Sequence, residues 1–319
     1  MNIAITPYHF GEVVVQHYNA LLSLSKLSTS SDANILLENE VAYNICQKMK
    51  CIDRPTLYDI NSVIVSHLLP LLLPKSDLST PNNYNKDIAD DIRMLCCHPS
   101  YKFLDVKMTP QSSNKAIEYN SDSWSSLLIT INRLQLQPRG TLQGSHTSSG
   151  SSSAYTGQEY TASNVKSLGS VVTYHGIDSY DACSHSSYDN TGGHNYDHSY
   201  NASNRESISK LASPRVMHNR DKNSTQPLYY TAPHHTLLTS DPVQFYHTPY
   251  RSQNYDRSIS VLSNNNTCLP LLHRILHRAG ALFSSQAYIH QYARYGLGRL
   301  DFTESLEAVA QIADCYSRL

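Results

Sequence analysis

An α/β architecture, with helices packed on a sheet and a long polar insertion, is what the 319-residue sequence predicts. Three observations carry that reading. Residues 1 to about 138 alternate amphipathic helical patterns with short apolar runs of strand type. From about 140 to 225 the chain is dominated by Ser, Tyr, Asn, Gly, His and Thr. From about 226 to 319 the helix and strand signals return, and no internal repeat is visible.

Taken in order, Tyr18 to Leu27 reads as a short helix whose apolar set is Leu21, Leu22, Leu24 and Leu27. A turn follows at Ser30, Ser31 and Asp32, with Asp32 or Ser31 available as an N-cap. Ile35, Leu36 and Leu37 suit a buried strand. Asn39 to Met49 reads as a helix with Val41, Ile45 and Cys46 on one face. Thr56 with Asp59 three residues on forms a capping-box start. The helix it opens repeats Ile60, Val63, Ile64, His67, Leu68 and Leu71 and spills apolar residues onto other faces, as a core helix does. Pro70 and Pro74 are expected to end or kink it. Asn85 to Leu95 is a further helix with Ile88, Ile92 and Leu95 inward, stopped by His98-Pro99. Phe103 to Met108 is an alternating strand, and Ser123 to Leu134 a helix.

The polar stretch cannot bury enough apolar area to offset an ordering entropy of about 1–2 kcal/mol per residue. Only Leu168 to Tyr174 within it has the composition of a strand. Beyond it, Ser258 to Ser263 is a short strand, and Leu269 to Phe283 and Ala287 to Tyr295 are helices. Asp301 to Glu304 reads as a capping box opening the last helix, with Asp301 as cap.

Composition excludes several classes. Charged residues are 16 % and the net charge is −1, so neither a basic stripe for nucleic acid nor an acidic tail for a cationic partner exists. The longest apolar run, Val63 to Leu73, holds His67 and Pro70 and is too short for a bilayer, which needs ~20 residues. The N-terminus has no secretory signal pattern. Seven scattered cysteines, an odd number, suggest a reducing compartment and free thiols, most of them buried. Cys96-Cys97-His98 lacks the spacing of a zinc site, and no metal is expected there or at Cys183 and its neighbouring histidines. A soluble intracellular protein, without nucleic-acid or membrane partners, is the expectation.

Three stretches resemble the tubulin family. The first is Gln16-His17-Tyr18-Asn19-Ala20, followed by the helix, turn and Asn39–Cys46 segment ending in Ile-Cys. Pro55-Thr56-Leu57-Tyr58-Asp59-Ile60-Asn61 is similar to the start of the family's central core helix. Ala287 to Tyr292 with Asp301 to Glu304 resembles the penultimate helix and the entry to the outer one. Gly11 to Gln16, His98-Pro99 and the wording around Tyr288 tilt the match toward the delta class. The resemblance covers roughly 1–138 and 255–319.

The resemblance implies a partial tubulin fold. Residues 1–74 would be the end of the GTP-binding domain with the core helix. Residues 75–138 and 226–268 would form the intermediate domain, 139–225 a low-complexity disordered insertion, and 269–319 the C-terminal helices. It implies guanine and ribose contacts at Glu12, Gln16, Asn39, Leu57 and Asn61, Leu57 standing where an aromatic ring usually covers the base. An amide both donates and accepts, which suits a guanine edge. It places Asp90, with Asn85 and Asp87, where the family reaches a neighbouring subunit's nucleotide, so Asp90 is the candidate catalytic group, acting in trans. No GxxxxGK[ST] loop or GGTGSG-like turn occurs in the chain. The family's phosphate cradle would precede Met1, and very weak or no GTP binding by the chain alone is expected.

The implied function is a delta-tubulin-like cytoskeletal protein that organises microtubules of centrioles, basal bodies and cilia. GTP would be the cofactor, and other tubulins or centriolar proteins the partners. The implied location is the cytoplasm and cytoskeleton, the nucleus being left open. A second reading is a truncated, non-polymerising interaction module that does not bind GTP. A third is a reading frame that lacks its upstream part.

Overall fold

In the computed structural model the described residues are 1–8, 13–77, 85–113, 116–117, 123–136, 165–176 and 243–319. All belong to one unit formed by Met1–Ile177 and Pro233–Leu319. Much of the expected insertion, together with Glu12, lies outside the described residues.

The chain opens with β1 (Asn2–Thr6), α1 (Gln16–Ser30), β2 (Asn34–Glu38), α2 (Asn39–Lys48) and α3 (Leu57–Leu72). There follow β3 (Lys75–Asp77), β4 (Asn85–Lys86), α4 (Ile88–Leu95), β5 (Phe103–Thr109) and α5 (Trp124–Gln135). Then come β6 (Ser167–Gly176), β7 (Val243–Thr248) and β8 (Arg257–Asn265). A 3₁₀ turn leads into α6 (Leu269–Ser284), α7 (Ile289–Ala293) and α8 (Arg299–Ser317).

The strands form one mixed sheet in the order β1-β2-β5-β8-β6-β7-β3-β4. β1, β2 and β5 run parallel to one another, with Ile3 beside Ile35 and Ile35 beside Leu104. β8 is antiparallel to both β5 and β6. Apolar side chains leave the sheet on both faces. Leu36 and Phe103 join Tyr18, Leu21, Leu272, Phe302, Val309 and Tyr316 in a core under α1, α6 and α8. Ile35, Leu104, Val106, Val171 and Leu262 join Leu71 and Leu95 on the opposite face, under α3 and α4. A third cluster locks α2 to α3 through Ala42, Ile45, Cys46, Ile60, Val63 and Ile64. Helix layers on two faces of a sheet are the α/β class that the alternating pattern implies.

Several elements differ from the sequence reading, each for a local reason. β1, β3, β4 and β7 carry too few periodic residues to be read as strands and form only by pairing. Ser31 and Asp32 open no helix, because the chain passes directly into β2. Ser31 instead ends α1 as its C-cap, its hydroxyl donating to the Leu27 carbonyl at 2.6 Å. The buried face of α2 includes Ala42, while Val41 is only half buried. α3 runs past Pro70 to Leu72, so that proline lies within its last turn instead of ending it.

The helix expected from Asn85 starts three residues later. Asn85 and Lys86 pair with β3, and the Asp87 carboxylate caps α4 by accepting from the N–H groups of Ala89 (2.9 Å) and Asp90 (3.2 Å). Phe103 to Thr109 is buried along both faces except at Lys107, so β5 does not alternate. The helix expected over Ala287 to Tyr295 shrinks to α7, because Tyr288 takes a left-handed φ of 59° and Gly296 one of 83°. Asp301 is not a cap. It sits in the first turn of α8 and accepts the Gly298 N–H at 2.7 Å. The strand expected at Leu168 to Tyr174 is longer and lies in the interior of the sheet between β7 and β8.

The six described cysteines are free, but only Cys46 and Cys268 are buried, so burial is less general than expected; Cys183 lies outside the described residues. No described helix is long and apolar enough to cross a membrane, and no group of three His, Cys, Asp or Glu side chains among the described residues could hold a metal.

Candidate functional site

Parallel strands β1 and β2 end at Thr6 and Glu38, and the helices that follow them begin near those ends. In open α/β sheets, ligands bind outside the carboxyl ends of such strands. Gln16 is the first residue of α1, and its amide donates to the Tyr8 carbonyl at 3.2 Å. The Tyr8 ring meets Tyr43 of α2 edge to face, with centroids 6.3 Å apart. Tyr8 thus joins the start of α1 to α2. Burial pushes the phenol of Tyr8 above its usual pKa, helped by the charge of Glu40. Neither tyrosine is found by motif reasoning, because both are recognisable only from what they touch.

Asn39 opens α2 directly after β2 and is half buried. Glu38, just before it, has a buried carboxylate whose Oε2 accepts from Arg274 Nη2 of α6 at 2.9 Å, while Oε1 has no hydrogen-bond partner. This ion pair ties the carboxyl end of β2 to the C-terminal helices.

Leu57 and Asn61 lie on the outer side of α3. Its inner side, Ile60, Val63 and Ile64, packs on α2. Leu57 is 74 % exposed and Asn61 is exposed as well. Among the described residues no hydrogen bond links Asn39 to Asn61. The start of α3 is fixed by its predicted capping box. The Thr56 N–H donates to Asp59 Oδ2 at 2.8 Å, and the Thr56 hydroxyl accepts the Asp59 N–H at 3.4 Å. The hydrogen bonds from Thr56 hold the Asp59 carboxyl below the usual carboxylate range.

Asp90 belongs to a separate place. It lies in the first turn of α4, partly exposed, with Oδ1 accepting from Arg93 Nη1 at 3.0 Å. α4 packs through Leu95, Ile88 and Ile92 near Leu68 and Leu71, at the C-terminal end of α3. Leu57 and Asn61 are at its N-terminal end. Fourteen residues of helix separate Leu57 from Leu71, roughly 20 Å. The structure therefore puts Leu57 and Asn61 at one end of α3 and Asp90, through α4, near the other, while Gln16 and Asn39 open the helices that follow β1 and β2.

Parallel strands, a capped core helix and an outer C-terminal helical layer make an α/β chain. Among known proteins it is similar to tubulins. Over its full length the chain is 27 % identical to the tubulin delta chain of Macaca fascicularis and 28 % identical to that of Homo sapiens. A shorter part, 34 % of the chain, is 32 % identical to 32 % of a tubulin alpha chain of Dictyostelium purpureum. The chain spans 63 % of the length of the delta chains it matches. No family model matches it.

Proposed function

We propose that this chain acts as a cytoskeletal subunit of delta-tubulin type, with a structural and organising role in the microtubules of centrioles, basal bodies and cilia. The observation that carries this reading is similarity to tubulin delta chains along the whole of the chain. In this reading residues 1–74 contribute to a GTP-binding domain. Residues 75–138 and 226–268 form an intermediate domain, 139–225 an insertion, and 269–319 an outer helical layer. Other tubulins or centriolar proteins are the partners, and the cytoplasm and cytoskeleton the location.

Gln16, Asn39, Asn61 and Glu12 offer amide and carboxylate groups to a guanine base and ribose, and Leu57 covers the base with an aliphatic face. Asp90 serves a different nucleotide. Its place on α4, near the C-terminal end of α3 and away from Leu57 and Asn61 at the N-terminal end, supports action on a neighbouring subunit's GTP.

The test has two arms. A fluorescent fusion in ciliated cells is expected at centrioles and basal bodies. A diffuse signal would overturn the reading, and so would correct targeting after deletion of residues 299–319. Hydrolysis of GTP by a complex containing the chain is expected to fall about 100-fold or more in Asp90→Asn, the scale of a lost general base. Equal rates reject the trans role.

A second reading, a non-polymerising interaction module that does not bind GTP, is favoured by the aliphatic, largely exposed Leu57 at the base position. Calorimetric titration of the chain with GTP tests that module reading. A constant in the micromolar range or tighter rejects the module reading.

A further inference from the structure

The first turn of α4 presents Asp90 to solvent, and something must set the direction in which it points. Ile88, Ile92 and Leu95 seat the helix on the sheet. Contacts of that kind are non-directional and allow a helix to roll about its axis. Successive helical side chains are separated by about 100°, so a small roll re-aims Asp90. Two contacts tie α4 directionally to other elements: at its last residue the Leu95 carbonyl accepts from Asn264 Nδ2 at 2.8 Å, and its first turn makes the other. Asp91, the residue after Asp90, is fully buried, and its Oδ2 pairs with the ammonium of Lys75 on β3, also fully buried.

Lys75 is itself held from several sides. Its backbone is in register with Lys86 of β4, and the next residue, Ser76, with His247 of β7. Its ammonium lies 4.9 Å from the centroid of the Tyr246 ring, which Lys86 approaches at 5.7 Å. Burial pushes the Asp91 carboxyl above its usual pKa, while the Lys75 charge opposes that shift. A pair so placed contributes little net stability against an apolar replacement, because desolvation offsets most of the attraction. What it supplies is geometry: a charge-assisted hydrogen bond from a fixed strand to one side of the helix.

We infer that Lys75 is a positioning residue, which acts through Asp91 to fix the rotation of α4 and hence the aim of Asp90. The anchoring of α4 stands on the geometry above; its consequence for hydrolysis rests on the trans reading of Asp90.

Hydrogen exchange on the full chain tests the anchoring. In Lys75→Met the amides of Ala89 to Ile92 are expected to exchange about tenfold faster or more, while those of β6 and β8 stay at wild-type rates. A purely global contribution to folding would move both sets together, and that result, or unchanged α4 amides, overturns the proposal. The double variant Lys75→Met/Asp91→Leu removes both charges and keeps the fold accessible if Lys75→Met alone fails to fold. It is expected to recover global stability but not the α4 protection pattern, and full recovery of that pattern also overturns the proposal.

Hydrolysis in the partner complex then separates the two claims. If Asp90→Asn is inactive and Lys75→Met loses turnover without loss of assembly, both stand. If Asp90→Asn has no effect while α4 still loosens locally, the trans reading fails and the anchor remains. If Asp90→Asn is inactive while Lys75→Met keeps full turnover and tight α4 amides, the positioning role fails alone.

Discussion

Tyr316 shows how much a single buried hydroxyl organises. It accepts the Phe103 N–H at 2.9 Å and lies 2.8 Å from Asn264 Oδ1, and the Asn264 amide in turn donates to the carbonyls of Leu95 and Tyr101. Through Asn264 one phenol therefore joins α8, β5, β8, the end of α4 and the segment after it. Tyr316→Phe leaves the Phe103 N–H and Asn264 Oδ1 unpaired in the core, so a loss of about 1–3 kcal/mol is expected in urea denaturation. His175 makes a second residue-scale prediction. It is fully buried with Nε2 2.7 Å from Ser260 Oγ, and burial, with His247 and Lys75 nearby, pushes its pKa down to about 3. In the unfolded chain the value is about 6.5. The neutral ring thus contributes stability that is fully present above about pH 6.5 and lost as pH falls toward 3. Between pH 7 and pH 5 the wild type should lose roughly 2 kcal/mol more than His175→Gln in paired denaturation curves, at ~1.4 kcal/mol per pH unit.

At the scale of elements, α3 is the piece on which the others depend. Its capping box was legible from Thr56 and Asp59, and the structure reproduces both halves of it. Thr56→Ala should cost about 1 kcal/mol and raise exchange in the first turn of α3 before the rest of the helix. The inner face of that helix was equally legible, because Ile60, Val63, Ile64, His67 and Leu71 recur at helical spacing and all are buried. The orientation of His67 was not. Its Nδ1 donates to the Val63 carbonyl at 2.8 Å, which leaves Nε2 to accept from the Gln111 amide at 2.8 Å. Gln111 is 44 residues away in sequence, so no local pattern announces it.

The whole molecule leaves apolar surface uncovered. Leu57, Tyr58, Val65, Leu69 and Leu72 on α3 are each half exposed or more, and Ile3 and Ile5 on β1 are exposed too. Apolar patches of this kind mark interaction surfaces or aggregation liabilities. Val65→Ser/Leu69→Ser should therefore lower self-association in light scattering while changing unfolding stability by about 0.5 kcal/mol or less per site. The opposite face depends on α8, whose Phe302, Val309, Ala313 and Tyr316 complete a core with α1 and α6. Removing residues 299–319 should cost soluble expression and cooperative unfolding, read by circular dichroism, because several large side chains would lose their cover at once.

The sequence by itself determined the class and most helices, since periodicity and caps are written in neighbouring residues: Leu21 and Leu24 in α1, Thr56 and Asp59 at the start of α3. It also singled out Gln16, Asn39, Leu57, Asn61 and Asp90 through resemblance. Only the tertiary structure decided the rest. Short strands such as β1 and β7 exist because a partner supplies their hydrogen bonds. The separation of Leu57 and Asn61 from Asp90 is set by the length of a folded helix. The Lys75–Asp91 and Glu38–Arg274 pairs join residues far apart in the chain, and a charge acquires such a partner only once packing has excluded water from around both.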